Sequence, residues 1–244
     1  PYQIIFFIFI VSNVGGSLTP VGDPPLLIGY LKGIPFLWYF INLYHIWLFT
    51  VVLLLIIFFI IDKYFYEKVK YEEQDEIEKT GERIVIEGKW NIIPLVIIVL
   101  SVLINEPKYL REIIMLLAAV LSYKFTPDKV HIKNHFTFGP IKEVAILFFG
   151  IFVTMIPALA FVSENSVRFG LDKLSNVFWY SGMLTSFLDN APTFLNFLTG
   201  AMSADHLSID NPLMVLDFSI NNAKFLTAIS IASVFFGAMT YIGN

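Results

Sequence analysis

Gly16-Ser17-Leu18-Thr19-Pro20-Val21-Gly22-Asp23 and Gly237-Ala238-Met239-Thr240-Tyr241-Ile242-Gly243-Asn244 match without gaps on the pattern G-[SA]-[LM]-T-x-[VI]-G-[DN]. In both copies the polar Thr and the Asp or Asn fall in register with the two glycines, which composition alone does not arrange. Each copy follows an apolar stretch with a serine close upstream: Ser12 before the first, Ser230 and Ser233 before the second. Glycine permits backbone geometries that other residues avoid. Pro20, Pro24 and Pro25 remove amide donors. Such a segment unwinds a helix and leaves carbonyl oxygens free.

What surrounds the two copies is apolar. Of 244 residues, 57% are hydrophobic and 15% charged, where a soluble domain carries about 25% charged residues. Ile41–Ile61 carries no formal charge except a possible proton on His45, and Val144–Val162 and Phe225–Asn244 carry no charge. Runs of this length match the thickness of a bilayer, so the chain is expected to be an all-α polytopic membrane protein. A net charge of −4 gives no reason to expect nucleic acid as a partner, and the absence of cysteine excludes disulfides and thiolate metal sites.

Working outward, Ile4–Val11 and Leu26–Leu31 are two short apolar pieces on either side of the first break. Ile41–Ile61 is a clear transmembrane helix, with Trp38, Tyr39, Tyr44 and Trp47 placed as an interfacial aromatic belt. Asp62–Lys89 is a hydrophilic loop. Ile92–Ile104 and Ile113–Tyr123 read as two helices joined by a tight turn, Lys124–Lys142 as polar chain, and Val144–Val162 as another crossing. Val177–Met202 holds Ser186-Phe187-Leu188-Asp189-Asn190-Ala191-Pro192-Thr193 at its centre, which suits a re-entrant hairpin with a polar tip. Ser203–Asn222 reads as a loop and Lys224–Thr240 as the last apolar segment.

This divides the chain into 1–61 (broken helix and following helix of repeat one), 62–91 (loop) and 92–244 (repeat two). The hairpin lies at about 177–202, and the start of the second broken helix at 223–244. Four crossings lie between the two copies. If 177–202 re-emerges on its own side, the copies run antiparallel, and repeats of opposite orientation with broken helices are the build of one class of secondary transporter. The loops 62–89 and 124–142 hold ten of the sixteen basic residues, which places them in the cytoplasm.

Ionisable groups inside a membrane are expensive and usually functional. The candidate ion- and substrate-binding residues are Ser12, Asn13, Gly16, Thr19, Gly22, Asp23, Glu143, Ser186, Asp189, Asn190, Thr193, Thr240 and Asn244. Within them Asn13, Thr19, Asp23, Asp189 and Asn190 are candidates for a Na⁺ site. Asp23 and Asp189 also have a plainer role as caps of the helices that follow them, and Glu143 as a surface acid at a helix start. The spacing His131-x-x-x-His135 falls in polar chain and reads as solvated. The four histidines contain no HExxH, there is no GxSxG, and an enzyme is not expected.

Ser12-Asn13 with the following Gly/Thr/Pro/Asp run, Lys142-Glu143-Val144-Ala145, and Ser186–Thr193 together resemble the ion transporter superfamily. Within it they are most similar to NhaD-type sodium/proton antiporters and citrate-transporter relatives. The resemblance covers nearly the whole chain and implies an inverted-repeat ion-transporter fold, incomplete at both ends, with the first repeat's hairpin preceding Pro1. It implies secondary transport across a bacterial inner membrane by a multi-pass protein, with Na⁺ and H⁺ as transported or coupling ions and no other cofactor. Relatives of this kind are often dimers, so a homodimer is an expected assembly. Sodium/proton antiport is the first expectation, from the two intramembrane carboxylates. Na⁺- or H⁺-coupled uptake of citrate or another carboxylate is the alternative.

Overall fold

The computed structural model describes residues 2–67, 87–104, 107 and 109–240, and it is helical throughout, with no strand among them. Two compact units emerge. One holds 2–67 and 147–240; the other holds the described part of 68–146.

In the larger unit, α1 (Tyr2–Phe7) widens into a π-helical turn, Ile8–Asn13, and then tightens into a 3₁₀ turn, Val14–Leu18. Helical turns thus run on through Ser12 and Asn13 as far as Leu18. The chain first becomes extended at Thr19 (φ −142°, ψ 152°). It turns back into helix as α2 (Pro24–Lys32), where two prolines occupy the first positions and cost no hydrogen bond. Gly33, at φ +126°, ends α2 in a conformation that favours glycine.

α3 (Trp38–Tyr66) follows, 29 residues long and so about 43 Å, more than the roughly 30 Å of a hydrocarbon core. Its most apolar stretch buries nothing inside the chain. An apolar surface of that size needs lipid or protein around it. The aromatic-belt reading of its N-terminal end is corrected for two of its four rings. Trp38 and Tyr39 are buried in the core, and the Trp38 indole Nε1 donates to the Ser219 carbonyl at 2.7 Å.

The second long apolar helix, α7 (Gly139–Glu164), exposes its apolar side chains in the same way. Before it, the smaller unit packs α4 (Ile92–Ser101) against α5 (Leu110–Phe125), as the paired-helix reading expects. The stretch read as polar chain between 124 and 142 contains a short helix, α6 (Asp128–Lys133), and the start of α7. The loop residues 68–86 lie outside the described residues.

After α7 come α8 (Leu174–Thr185) and α9 (Asn190–Ala204), with the turn 186–189 between them. At about 18 and 22 Å, neither spans a bilayer alone. Their distal ends lie together. Gly200 on α9 has Val162 and Leu171 so close that a methyl group there would stand 2.9 Å from a Val162 carbon. Ser163 and Ser203 share a hydrogen bond of 2.8 Å.

The segment 203–222, read as a loop, instead contains α10 (Pro212–Asn221), started by Asn211, whose side chain accepts from the Leu213 amide at 3.0 Å. α10 meets α11 (Ala223–Phe235) at a bend of 96°. The core sits where α9 and α11 pack against α2 and the N-terminal end of α3, around Leu26, Tyr39, Phe194, Leu198, Phe218 and Leu226.

Candidate functional site

The two copies of the repeated motif take the same backbone path as far as the structure describes them. A 3₁₀ turn precedes an extended threonine in each: Val14–Leu18 then Thr19, and Phe236–Met239 then Thr240 (φ −133°, ψ 159°). Gly16 and Gly237 are both buried. In the first copy the break closes on itself, with Gly16 and Gly22 in backbone contact. A methyl group at Gly16 would stand 2.5 Å from the Gly22 carbonyl oxygen, and one at Gly22 2.7 Å from the Gly16 Cα. The turn is held by the Gly22 amide donating to the Thr19 carbonyl at 3.0 Å.

Asp23 begins α2, yet its carboxylate does not cap that helix. It reaches across to the α8–α9 turn, where Asn190 Nδ2 donates to Asp23 Oδ1 at 2.9 Å across a separation of 167 residues. Both residues are buried, 5% and 2% exposed. Among the described residues no basic side chain forms an ion pair with Asp23. A buried carboxylate without a counter-charge is costly unless a proton or a cation neutralises it.

The second break meets the same turn from its other side. Thr240 Oγ1 donates to the Ser186 carbonyl, and Ser186 Oγ lies 3.4 Å from Met239 Sδ while donating to the Gly182 carbonyl at 3.0 Å. Gly182 lets the Phe236 ring close on α8, with room for nothing larger than a hydrogen. The polar tip is thus held between both breaks, one hydrogen bond to each side.

Not every expected residue joins this cluster. Asp189 is only half-buried. It caps α9 by accepting from the Ala191 amide at 3.4 Å, and its own carbonyl accepts from Thr193 Oγ1 at 2.9 Å. It also lines a largely apolar cavity of about 860 Å³ with Arg168 and Asn196, and its cap is the plainer role the sequence offered for it. Asn13 is buried, but its amide donates back to the Ile8 carbonyl at 3.2 Å. Ser12 is exposed. Glu143 is exposed on α7, in the smaller unit. Asn244 lies outside the described residues.

Buried hydroxyls with no partner among the described residues add to the picture: Thr185 at the end of α8, and Ser230 and Ser233 on α11. The sequence reading noticed the two serines but not Thr185. Its signal was present, a polar residue beside the tip motif inside an apolar run.

A family described as "Putative citrate transport" matches residues 1–244. The chain belongs to that family. No curated protein and no solved structure matches it. Family membership favours carboxylate transport, the alternative of the sequence reading, over sodium/proton antiport. It also accounts for the lipid-suited exteriors of α3 and α7: this is a membrane protein of a transporter family.

Proposed function

We propose that the chain forms the core of a secondary active transporter for citrate or a related carboxylate, coupled to Na⁺ or H⁺, and that the cluster around Asp23, Asn190, Ser186 and Thr240 is its ion and substrate site. The Asp23–Asn190 hydrogen bond carries the reading, because it joins the first break to the polar tip at a buried, uncompensated carboxylate. Such a group demands a cation or a proton. Once neutralised, it no longer repels a carboxylate substrate, so loading the coupling ion first is the physical basis of coupling. The unwound carbonyls and hydroxyls at both breaks are the donors and acceptors that an ion shorn of water requires.

An inverted arrangement of the two copies is supported by their surroundings. Tyr2, at the start of the first copy's helix, donates to Asp62 at 2.8 Å and stacks on Phe65, at the C-terminal end of α3. The second copy's helix starts beside α10, whose Ser219 accepts from Trp38 at the N-terminal end of α3. Both then run to the same tip, from opposite ends of one membrane-length helix. The α8–α9 pair reads as a re-entrant hairpin for a like reason: its distal ends meet at Val162, Leu171 and Gly200. On this reading the protein is multi-pass in the cell membrane, with 62–89 and 124–142 cytoplasmic.

The test is uptake of labelled citrate into proteoliposomes under an imposed Na⁺ or proton gradient. Uptake driven by at least one gradient, and uncoupled by Asp23→Asn, is expected. Proton efflux driven by Na⁺ with no citrate movement would return the protein to the antiport reading.

A further inference from the structure

A second cavity, of about 720 Å³, lies at the far end of α9 from the tip. Its wall is built by Lys32 at the end of α2, Ser163 at the end of α7, Thr199 and Ser203 on α9, and His206 and Asp210 in the turn that follows. Thr199 is 5% exposed and its hydroxyl has no partner among the described residues. A buried hydroxyl left unpaired costs free energy, and Thr199 stands in the cavity wall.

The donors can be counted. Ser163 and Ser203 carry two hydroxyl protons between them and spend one on their mutual hydrogen bond, which leaves one to donate outward. Lys32 Nζ uses one of its three protons on Asp210 at 2.9 Å. Asp210 is 83% exposed, and such a surface pair is weak enough to be exchanged. His206 adds a ring nitrogen. The carbonyls nearby are already used, Met202 accepting from the Asp205 and Leu207 amides and Ser203 from the His206 amide, while the one carboxylate on the wall, Asp210, is paired with Lys32. Leu159, Ile209 and Met214 supply an apolar flank.

We infer that this cavity is a second binding site, for an anion with several oxygen atoms on a short carbon skeleton, a di- or tricarboxylate, held by Lys32, His206 and the hydroxyls of Thr199, Ser163 and Ser203. It rests on the carboxylate reading for its choice of ligand but not for its geometry. Placed where α2, α7 and α9 all end, it holds substrate outside the tip before or after passage. The phosphate of an anionic lipid offers the same oxygen chemistry, and the experiment separates the two.

The chain has no cysteine, so Ser208→Cys, on the cavity wall, introduces a reporter thiol without touching a proposed ligand. Its alkylation rate is measured on the complete protein in phosphatidylcholine nanodiscs with increasing citrate. Citrate should slow labelling, and Lys32→Met or His206→Ala should raise the half-protecting concentration about tenfold or more, as the loss of one contact to a charged group implies. Asp210→Asn frees Lys32 and should lower it, whereas a merely structural Lys32–Asp210 tether predicts the opposite. Protection should survive Asn190→Ala at the tip.

Absence of protection, or protection that ignores Lys32 and His206 but vanishes with Asn190→Ala, overturns the inference. So does protection by phosphatidylglycerol nanodiscs but not by citrate. Citrate protection in a protein that fails to transport citrate would leave this site standing while the transport reading falls.

Discussion

Asn190→Ala tests the centre of the proposed site most directly. The substitution deletes the hydrogen bond from Asn190 Nδ2 to Asp23 Oδ1 and leaves the carboxylate buried with no basic partner among the described residues. A hydrogen bond to a charged group is worth about 1.5–3 kcal/mol. For a chain of this size that corresponds to a fall in Tm of about 3–12 °C. The loss should depend on what occupies the site. With Asp23 ionised and no coupling ion present, the full penalty is felt. With saturating Na⁺, or at a pH low enough to protonate Asp23, the charge is neutralised and the penalty should shrink toward the roughly 1 kcal/mol of a neutral pair. Thermal unfolding of purified protein across a Na⁺ and pH series reads this directly. Asp23→Asn is the control: it keeps the shape, and its Tm should lose the site's dependence on both ions. An Asn190→Ala penalty identical under every condition would refute the reasoning, because Asn190 would then be a packing residue and Asp23 would exchange nothing.

Further outcomes follow from the same geometry. Gly22→Ala forces a methyl group against Gly16, costing about 1–3 kcal/mol; it should abolish uptake with the protein still in the membrane, and adding Gly16→Ala should cost little more, because both break one contact. Gly182→Ala meets the Phe236 ring at 2.9 Å; uptake should fall, and Phe236→Leu in the same protein should restore part of it. Thr240→Val unties the second break from the Ser186 carbonyl and, at about 0.5–1.5 kcal/mol for a neutral hydrogen bond, should weaken apparent ion affinity roughly 2- to 13-fold, with Thr19→Val matching it only if both breaks bind the ion. Glu87, held below the usual carboxylate range by Lys133 at 2.6 Å, gives a pair present above that range and lost on acidification; both partners are exposed, so Glu87→Gln should leave Tm unmoved at neutral pH.

The breaks were legible in the sequence because their chemistry is local. A glycine pair that must close on itself, and a threonine between apolar runs, announce an unwound helix whatever surrounds them. The contact between Asp23 and Asn190 was not legible, since nothing in either motif says which face it turns to the other. For the same reason the sequence left Asp189 as either a cation ligand or the cap of the helix after it; the chain spends it on the Ala191 amide of α9 and sends Asn190 inward. Trp38 and Tyr39 misled because composition cannot separate a ring at the membrane interface from one packed under it; Gly29 makes the space into which the Tyr39 hydroxyl fits. α10 was missed because its ten residues sit among polar neighbours, and its helix is set by Asn211, Pro212 and packing rather than by an apolar run.

In the proposed transporter, the contrast between tip and shaft is what permits movement. At its distal end the α8–α9 pair is fixed by apolar contact, Leu171 and Val162 against Gly200, which nothing dissolved in water can replace. At the tip it is joined to each break by a hydrogen bond, Asn190 to Asp23 and Thr240 to Ser186. Hydrogen bonds can be traded for ion contacts at small net cost, whereas packed side chains cannot be traded at all. An arriving cation competes for Asp23 and loosens one joint while the other end stays anchored. A substrate carboxylate completes the exchange by engaging the same donors, so that neither ion nor substrate alone releases both sides of the tip.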